Sequence, residues 1–433
     1  MELKTYEFVL SVLKMLIKGT KFENHVYSVG GCERDRLLGN DIKDIDLVVD
    51  LPRGGIELAE YLDSINQLAH DPVIYENFGT VMFKLYDFPD IELEAVHTRK
   101  ETYRGDSRKP ETAFGTIWED CTRRDFTINA IYRNISTGET LDLNGNSRKD
   151  LTNKIIRTCG DPNIIFDEDP LRILRAIRFR YRLDYQYDIE TLRGMINYVD
   201  RLSIISQERI TDEFSKILCG NFPSDALSEL NQLGILSYVF PDVSSDDIKF
   251  NMLNLKKMSF LRGSKANLVT RLAILLRGFN EDFIRILIKK MKYPNSVADD
   301  IIFLHKFDVD YQPYMENNYE ENTKTKKFYL PAIRKAMYFS KTSEKFKMLC
   351  DYLESIVKEG QAIYMTSVFD IGDIMYGYKL GVNGDDIMEA FDLKPGPIVK
   401  KVLDKVLEQA FVSPNIYMKK ENCLMLIKKI VEN

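Results

Sequence analysis

Two aspartates one residue apart, Asp44 and Asp46 in "KDIDLVVD", are the side chains whose spacing most clearly suggests chemistry. Successive strand residues point to opposite faces, so both carboxylates project to one side while Ile45 and Leu47 project to the other. Carboxylates held this close repel one another unless a cation neutralises them, and hard oxygen ligands of this kind suit Mg²⁺. Upstream, Gly30 and Gly31 stand between the apolar "VYSV" and the helix-like "ERDRLL". Glycine there permits a positive-φ turn and lets backbone N–H groups approach a ligand closely. Strand, glycine turn, helix and carboxylate strand together describe a phosphate cradle facing a metal site, although each alone is also an ordinary turn or a solvated strand end. No G-K-[ST] and no G-x-G-x-x-G accompanies the glycines, so the P-loop and dinucleotide fingerprints are both excluded. Glu92 and Glu94 share one face of the strand-like "IELEAVH", and Glu94 is our choice of third carboxylate, because two-metal phosphoryl transfer generally uses three.

The elements that must position these groups follow two kinds of pattern. Over residues 1–150, short alternating or β-branched runs ("HVYSVGG", "DIDLVVD", "GTVMFKLY", "IELEAVH", "INAIYRN") predict strands, with helices over 2–18 and 56–69 between them. From about residue 165, helical periodicity takes over in "EDPLRILRAIRF", "ISQERITDEF" and "EDFIRILIKKM", and predicts an all-helical remainder. Polar stretches at 240–247 and 312–327 read as loops, and 378–397 brings Gly and Pro back after a long helical stretch. The fold class expected is therefore an α+β N-terminal head, with a mixed sheet and helices, followed by all-α segments.

Composition narrows the chemistry further. At 433 residues, 44% hydrophobic and 29% charged, the chain can bury several cores. Apolar stretches such as "LSVLKMLI" fall short of the roughly 20 residues a membrane span needs, and no cleavable signal pattern precedes them, so a cytoplasmic protein with no membrane partner is expected. Six scattered cysteines without C-x-x-C, and only four histidines, leave little material for disulfides, zinc or a His-based triad. Any metal site must be built from carboxylates. A net charge of −6 excludes a broadly basic surface, yet residues 151–220 carry nine Arg and two Lys against eleven acids, enough arginine for a local basic groove.

The motifs in order resemble those of the class II nucleotidyltransferases of the tRNA CCA-adding and bacterial poly(A) polymerase family, most of all the bacterial-type CCA-adding members. The family's G-G-x-V-R-D-x-L-L-G and D-x-D appear as "GGCERDRLLG" and "DID"; "RRDFTINAI" and "EDPLRILRAIRF" are similar to its next two motifs, and "GDPNIIFDEDPLR" and "ISQERITDEF" extend the match. The likeness weakens through the middle of the chain and returns near 383–400. Glu33 departs from the pattern, standing where a small apolar residue is usual, and has no role we can assign from sequence. "GDSRKPE" likewise departs from the family's loop sequence.

The resemblance implies a catalytic head (1–150), a helical neck that recognises the base (151–238), a body (239–375) and an RNA-binding tail (376–433). It implies transfer of nucleotides from CTP and ATP to the 3′ end of tRNA, with Asp44 and Asp46 holding Mg²⁺. Gly30, Gly31 and Arg34 would bind the nucleotide, and Asp125, supported by Arg124 and Asn129, its ribose. A salt-bridge cluster is the competing reading of Arg123, Arg124 and Asp125. Asp169 and Arg172, as i, i+3 neighbours at a helix start, would present a carboxylate and a guanidinium side by side. Cytosine and adenine both place an exocyclic amino donor beside an unprotonated ring nitrogen, so such a pair favours C and A over G and U. Arg175 and Arg178, further along the same helix, would meet the triphosphate. Arg108 lies in a loop of the kind full CCA-adding and A-adding enzymes retain, and Gly396, Lys400 and Lys401 would touch RNA phosphate at a helix start. An A-adding enzyme or poly(A) polymerase shares these catalytic motifs; a non-catalytic RNA-binding relative would not need Asp44 and Asp46.

Overall fold

A computed structural model describes residues 1–76, 79–102, 111–243, 268–315, 334–356, 375 and 377–431. The chain divides into two compact units, Met1–Asn221 with Asp225–Val239, and Phe222–Ser224 with Phe240–Asn433.

The first unit is built on a seven-stranded mixed sheet. Its strands are β1 (Val26–Val29), β2 (Ile45–Val49), β3 (Val73–Tyr75), β4 (Thr80–Phe83), β5 (Leu93–His97), β8 (Tyr132–Asn134) and β9 (Thr140–Leu141), in the order β3-β4-β5-β2-β1-β8-β9. β6 (Arg99–Thr102) and β7 (Glu111–Phe114) form a separate antiparallel pair. Each of the five runs read as strands from sequence contributes one, and the two expected helices appear as α1 (Leu3–Ile17) and α3 (Gly54–Ser64). Alternation along β2 sorts its residues: Ile45, Leu47 and Val49 pack with Tyr6, Val9, Leu13 and Ile17 of α1 and with Ile56, Leu58 and Leu62 of α3. Val48 joins Val29, Cys121, Ala130 and Tyr132 in a second core on the opposite side. Burying each such side chain contributes about 1.5–3 kcal/mol, and a one-residue slip of β2 would reverse both sets and push Asp46 into the α1–α3 core. α3 lies close on the sheet because Gly55 lacks a side chain: a Cβ there would sit 2.7 Å from the Ala95 carbonyl oxygen.

Helices complete the unit: α2 (Gly31–Leu38), α4 (Ile117–Thr122), α5 (Ser147–Asn153), α6 (Pro162–Glu168), α7 (Leu171–Leu183), α8 (Ile189–Tyr198) and α9 (Gln207–Leu218). Thr116 and Glu119 form a reciprocal capping box that fixes the start of α4. One departure from an all-helical neck is a small parallel pair, β10 (Ile155–Ile156) with β11 (Gln186–Tyr187), too short for any periodicity to announce.

The described part of the second unit is helical, with helices at Leu268–Leu275, Glu281–Lys290, Asn295–Met315 and Ser343–Ile356. Asn295–Met315 continues as helix into the loop expected from 312. The Gly- and Pro-bearing stretch 378–397 contains the helix Gly384–Phe391, whose N-terminus is closed by an Asn383–Asp386 capping box. That helix packs Ile387 with Val399, Val402 and Val406 of Pro397–Val412 and with Cys423 and Ile427 of Lys420–Val431. No helix among the described residues is long and apolar enough to cross a membrane.

Candidate active site

The carboxylates gather where β2 and β5 run parallel, a register that sets Asp46 beside Glu94. Asp44 lies exposed just before β2, and Asp46 is half-buried within it. Gly30, at the N-terminus of α2, adopts φ 85°, a left-handed conformation that glycine takes without steric cost. A Cβ on it would stand 3.3 Å from Asp46 Oδ2 and 3.8 Å from Arg124 Nη1, so the glycine turn, the carboxylate and a guanidinium converge. Burial, reinforced by the negative charges of Glu94 and Asp44, pushes the Asp46 carboxyl up to about 6, against the pull of Arg124 and Arg34. Partial desolvation also raises Glu94, with Glu92 and Asp44 adding to the effect and Arg99 opposing it. Like charge concentrated at the N-terminal ends of two central strands is what a hard divalent cation relieves, and the residues present fit one. Among the described residues no three carboxylate, thiol or imidazole groups cluster as metal ligands. Two carboxylates, with water and substrate phosphate oxygens completing the shell, suffice for a metal of this class.

Arginines frame the other side. Asp120 on α4 is fully buried and its two oxygens divide the work: Oδ1 accepts from Arg123, while Oδ2 accepts from Arg124 Nε (3.2 Å), Arg124 Nη2 (3.1 Å) and the Tyr132 hydroxyl (2.7 Å). Burial opposes ionisation of Asp120, but Arg124 and Arg123 outweigh it and hold the carboxyl at about 2. Asp125 is held at about 2 in the same way, burial being overcome by Arg175, which donates through Nε (2.9 Å) and Nη2 (2.6 Å). The paired arginines and Asp125 therefore do not form one salt-bridge cluster; they face different partners.

Asp125 also accepts from Asn129 Nδ2 (3.1 Å), whose Oδ1 accepts from Arg34 Nη1 (2.6 Å), while Arg34 forks onto Asp35 at 2.9 and 2.8 Å. Arg178 Nε donates to Glu213 of α9 at 2.7 Å. Arg34, Arg175 and Arg178 all stand over the Phe179 ring, 5.3, 5.7 and 4.5 Å from its centroid. Thus Arg34, Asn129, Asp125 and Arg175 form one hydrogen-bonded chain from α2 to α7, and Arg178 ties α7 to α9.

The start of α7 requires a correction. Asp169 caps the end of α6 and Pro170 precedes α7, so neither residue of "ED" lies in the first turn of α7. Asp169 accepts from Arg209 of α9 at 3.0 Å and from the Leu171 N–H. Arg172 is buried and donates to the carbonyls of Arg123 (2.9 Å) and Ile165 (3.4 Å).

Asp120, Tyr132, Arg209 and Glu213 were not singled out by sequence reasoning. Asp120 had a signal, an acid three and four residues before two arginines on a short helix; Arg209 and Glu213 sit in "ISQERITDEF", which matched by motif without suggesting partners. Glu33, unassigned from sequence, is fully buried and accepts from Tyr6 of α1 (2.6 Å), Ser28 of β1 (2.5 Å) and Arg36 of α2 (2.7 Å). It ties three elements together beneath the glycine turn. Arg108 lies outside the described residues. In the second unit Gly396 caps Pro397–Val412, with Lys400 and Lys401 exposed on its first turns.

Mixed sheet, glycine turn and carboxylate strand together define a nucleotidyltransferase. Residues 26–157 match the family described as the poly A polymerase head domain, and 184–246 match the probable RNA and SrmB-binding site of polymerase A. The chain is 28% identical to the CCA-adding enzyme of Anoxybacillus flavithermus across 95% of its own length and 94% of that protein's. It is 38% identical to the CCA-adding enzyme of a Geobacillus strain over 49% of this chain and 50% of that one. The fold is that of the Bacillus stearothermophilus CCA-adding enzyme solved in complex with CTP, with a TM-score of 0.75, 23% identity, and coverage of 98% and 96% of the two chains. Over the matched regions and along most of its length the chain is similar to tRNA CCA-adding enzymes and poly(A) polymerases.

Proposed function

We propose that this protein adds C, C and A in turn to the 3′ end of tRNA from CTP and ATP, without a nucleic-acid template, releasing pyrophosphate at each addition. The observation that carries this reading is the convergence of Gly30, Asp46 and Arg124, together with the neighbouring ion pair of Asp125 with Arg175. Mg²⁺, held by Asp44 and Asp46, supplies charge neutralisation for the phosphoryl oxygens when bound. Gly30 and Gly31 offer backbone N–H groups to the triphosphate, with Arg34 and Arg124 beside them and Arg175 and Arg178 beyond. Glu94 assists as the third carboxylate. Asp125 and Asn129 receive the ribose hydroxyls, which selects ribonucleotides.

Base choice rests on Asp169 and Arg172. Asp169 accepts from the exocyclic amino group of C or A, and because each carboxylate oxygen has two acceptor sites it does so without giving up Arg209. Arg172 donates to the ring nitrogen. The head (1–150), neck (151–238), body (239–375) and tail (376–433) divide the work, with Arg108, Gly396, Lys400 and Lys401 contacting tRNA, and the protein acts in the cytoplasm. The test supplies tRNAs lacking one, two or three 3′ nucleotides with each nucleoside triphosphate singly and paired, and reads product length on a gel. Stepwise restoration of CCA is expected. Addition stopping after CC, addition of A alone, or long adenosine runs on any RNA would each overturn it, the last in favour of a poly(A) polymerase.

A further inference from the structure

We propose that Asp120 is a positioning residue that sets both halves of the site from one buried carboxylate. The proposal rests on the reading of Arg124 and Arg172 as nucleotide ligands. Asp120 is 0% exposed and accepts from both arginines of the pair, from the Arg99 backbone N–H (3.4 Å) and from Tyr132 of β8. Its hold on Arg124 uses Nε and Nη2, which fixes the guanidinium plane and turns Nη1 toward the Gly30 turn and Asp46. Tyr132 donates to Asp120 and accepts from Arg124 Nε at 2.7 Å, and its ring lies 5.2 Å from the Arg124 guanidinium, so it braces the same plane from a second side. Through Arg123 the same carboxylate reaches the base side. Arg123 is pinned by Asp120 Oδ1 and by the Arg99 carbonyl, and its own carbonyl is the acceptor that orients Arg172.

A planar guanidinium whose Nε and Nη2 both converge on one carboxylate oxygen keeps one orientation, whereas an unheld one samples many. Loss of the Asp120 charge therefore leaves Arg124 and the Arg123 turn present but loosely aimed. Asp120→Asn retains the shape and removes the charge, and is expected to raise KM for CTP and ATP about tenfold each, with kcat changed much less. Asp120→Glu is expected to recover part of that loss. Tyr132→Phe removes only one brace, so it gives a smaller rise in a protein that folds even if the aspartate variants do not. In an Arg124→Ala background, Asp120→Asn is expected to add little further effect on triphosphate KM, as groups acting through one another do.

The measurements are steady-state KM and kcat, equilibrium CTP binding, and discrimination between CTP and UTP, each with thermal melting as the folding control. Folded Asp120→Asn and Tyr132→Phe proteins with wild-type KM and wild-type discrimination would overturn the proposal. So would an additive loss in the double variant, which marks a purely structural carboxylate. If wild type adds nothing to any tRNA end while its CTP binding is still weakened by Asp120→Asn, the transfer reading fails and this one stands.

Discussion

Asp46 is where ionisation and function pull in opposite directions. Its carboxyl, ordinarily near 3.8, is pushed to about 6, so the fold favours the protonated form. The stability this contributes is complete below about pH 4 and is lost as pH rises through about 6. Without metal, Asp46→Asn is expected to raise stability at pH 7.5 by about 1–2 kcal/mol while abolishing nucleotide addition. Thermal melts at pH 5 and 7.5 check this, and Mg²⁺ should raise the wild-type melting temperature more at the higher pH, with little response in the variant. Glu33 tests the contrary case, a buried acid with three donors and no reacting atom near it. Glu33→Ala strands Tyr6, Ser28 and Arg36 and is expected to cost about 3 kcal/mol in urea unfolding, with the C-and-A preference of the remaining folded enzyme unchanged.

At the scale of elements, the turn from β1 into α2 and the parallel pair β2–β5 make the site. Gly30→Ala forces a side chain onto φ 85° and into contact with Asp46 Oδ2, a strain of about 1–2 kcal/mol placed at the carboxylate itself. A loss of kcat on the order of a hundredfold is expected, with a modest fall in melting temperature. The β1–α2 turn and the strands β1, β2, β4, β5 and β8 were legible because period-two alternation and paired glycines are local signals, readable within a handful of residues, whereas β3, β6, β7 and β9 were not read. α7 was equally plain, but its first turn was not: the break at Asp169–Pro170 arises because α6 ends there, and α6 is too short a helix to stand out in the pattern. The pair β10–β11 escaped for the same reason, each strand having two residues.

For the whole molecule, the first compact unit holds the proposed chemistry and the second the proposed tRNA contacts of Gly396, Lys400 and Lys401. Replacing both Lys400 and Lys401 with alanine is therefore expected to raise KM for tRNA and to flatten its salt dependence by about two phosphate contacts. KM for CTP should stay put, and filter binding across a salt series together with CTP titration separates the two. A matching rise in CTP KM would place these lysines in the wrong task. By itself the sequence determined the order of motifs, the D-x-D face, the glycine turn and the switch from strands to helices, because each is written in spacing along the chain. Only the tertiary structure decided which charge meets which: Glu33 with Tyr6 across 27 residues, Asp169 with Arg209 across 40, and one buried aspartate holding two arginines and a tyrosine. Opposite charges attract without regard to sequence position, so among so many arginines and carboxylates the partners are chosen by packing, which places a few of them within reach and buries the rest of the alternatives out of range.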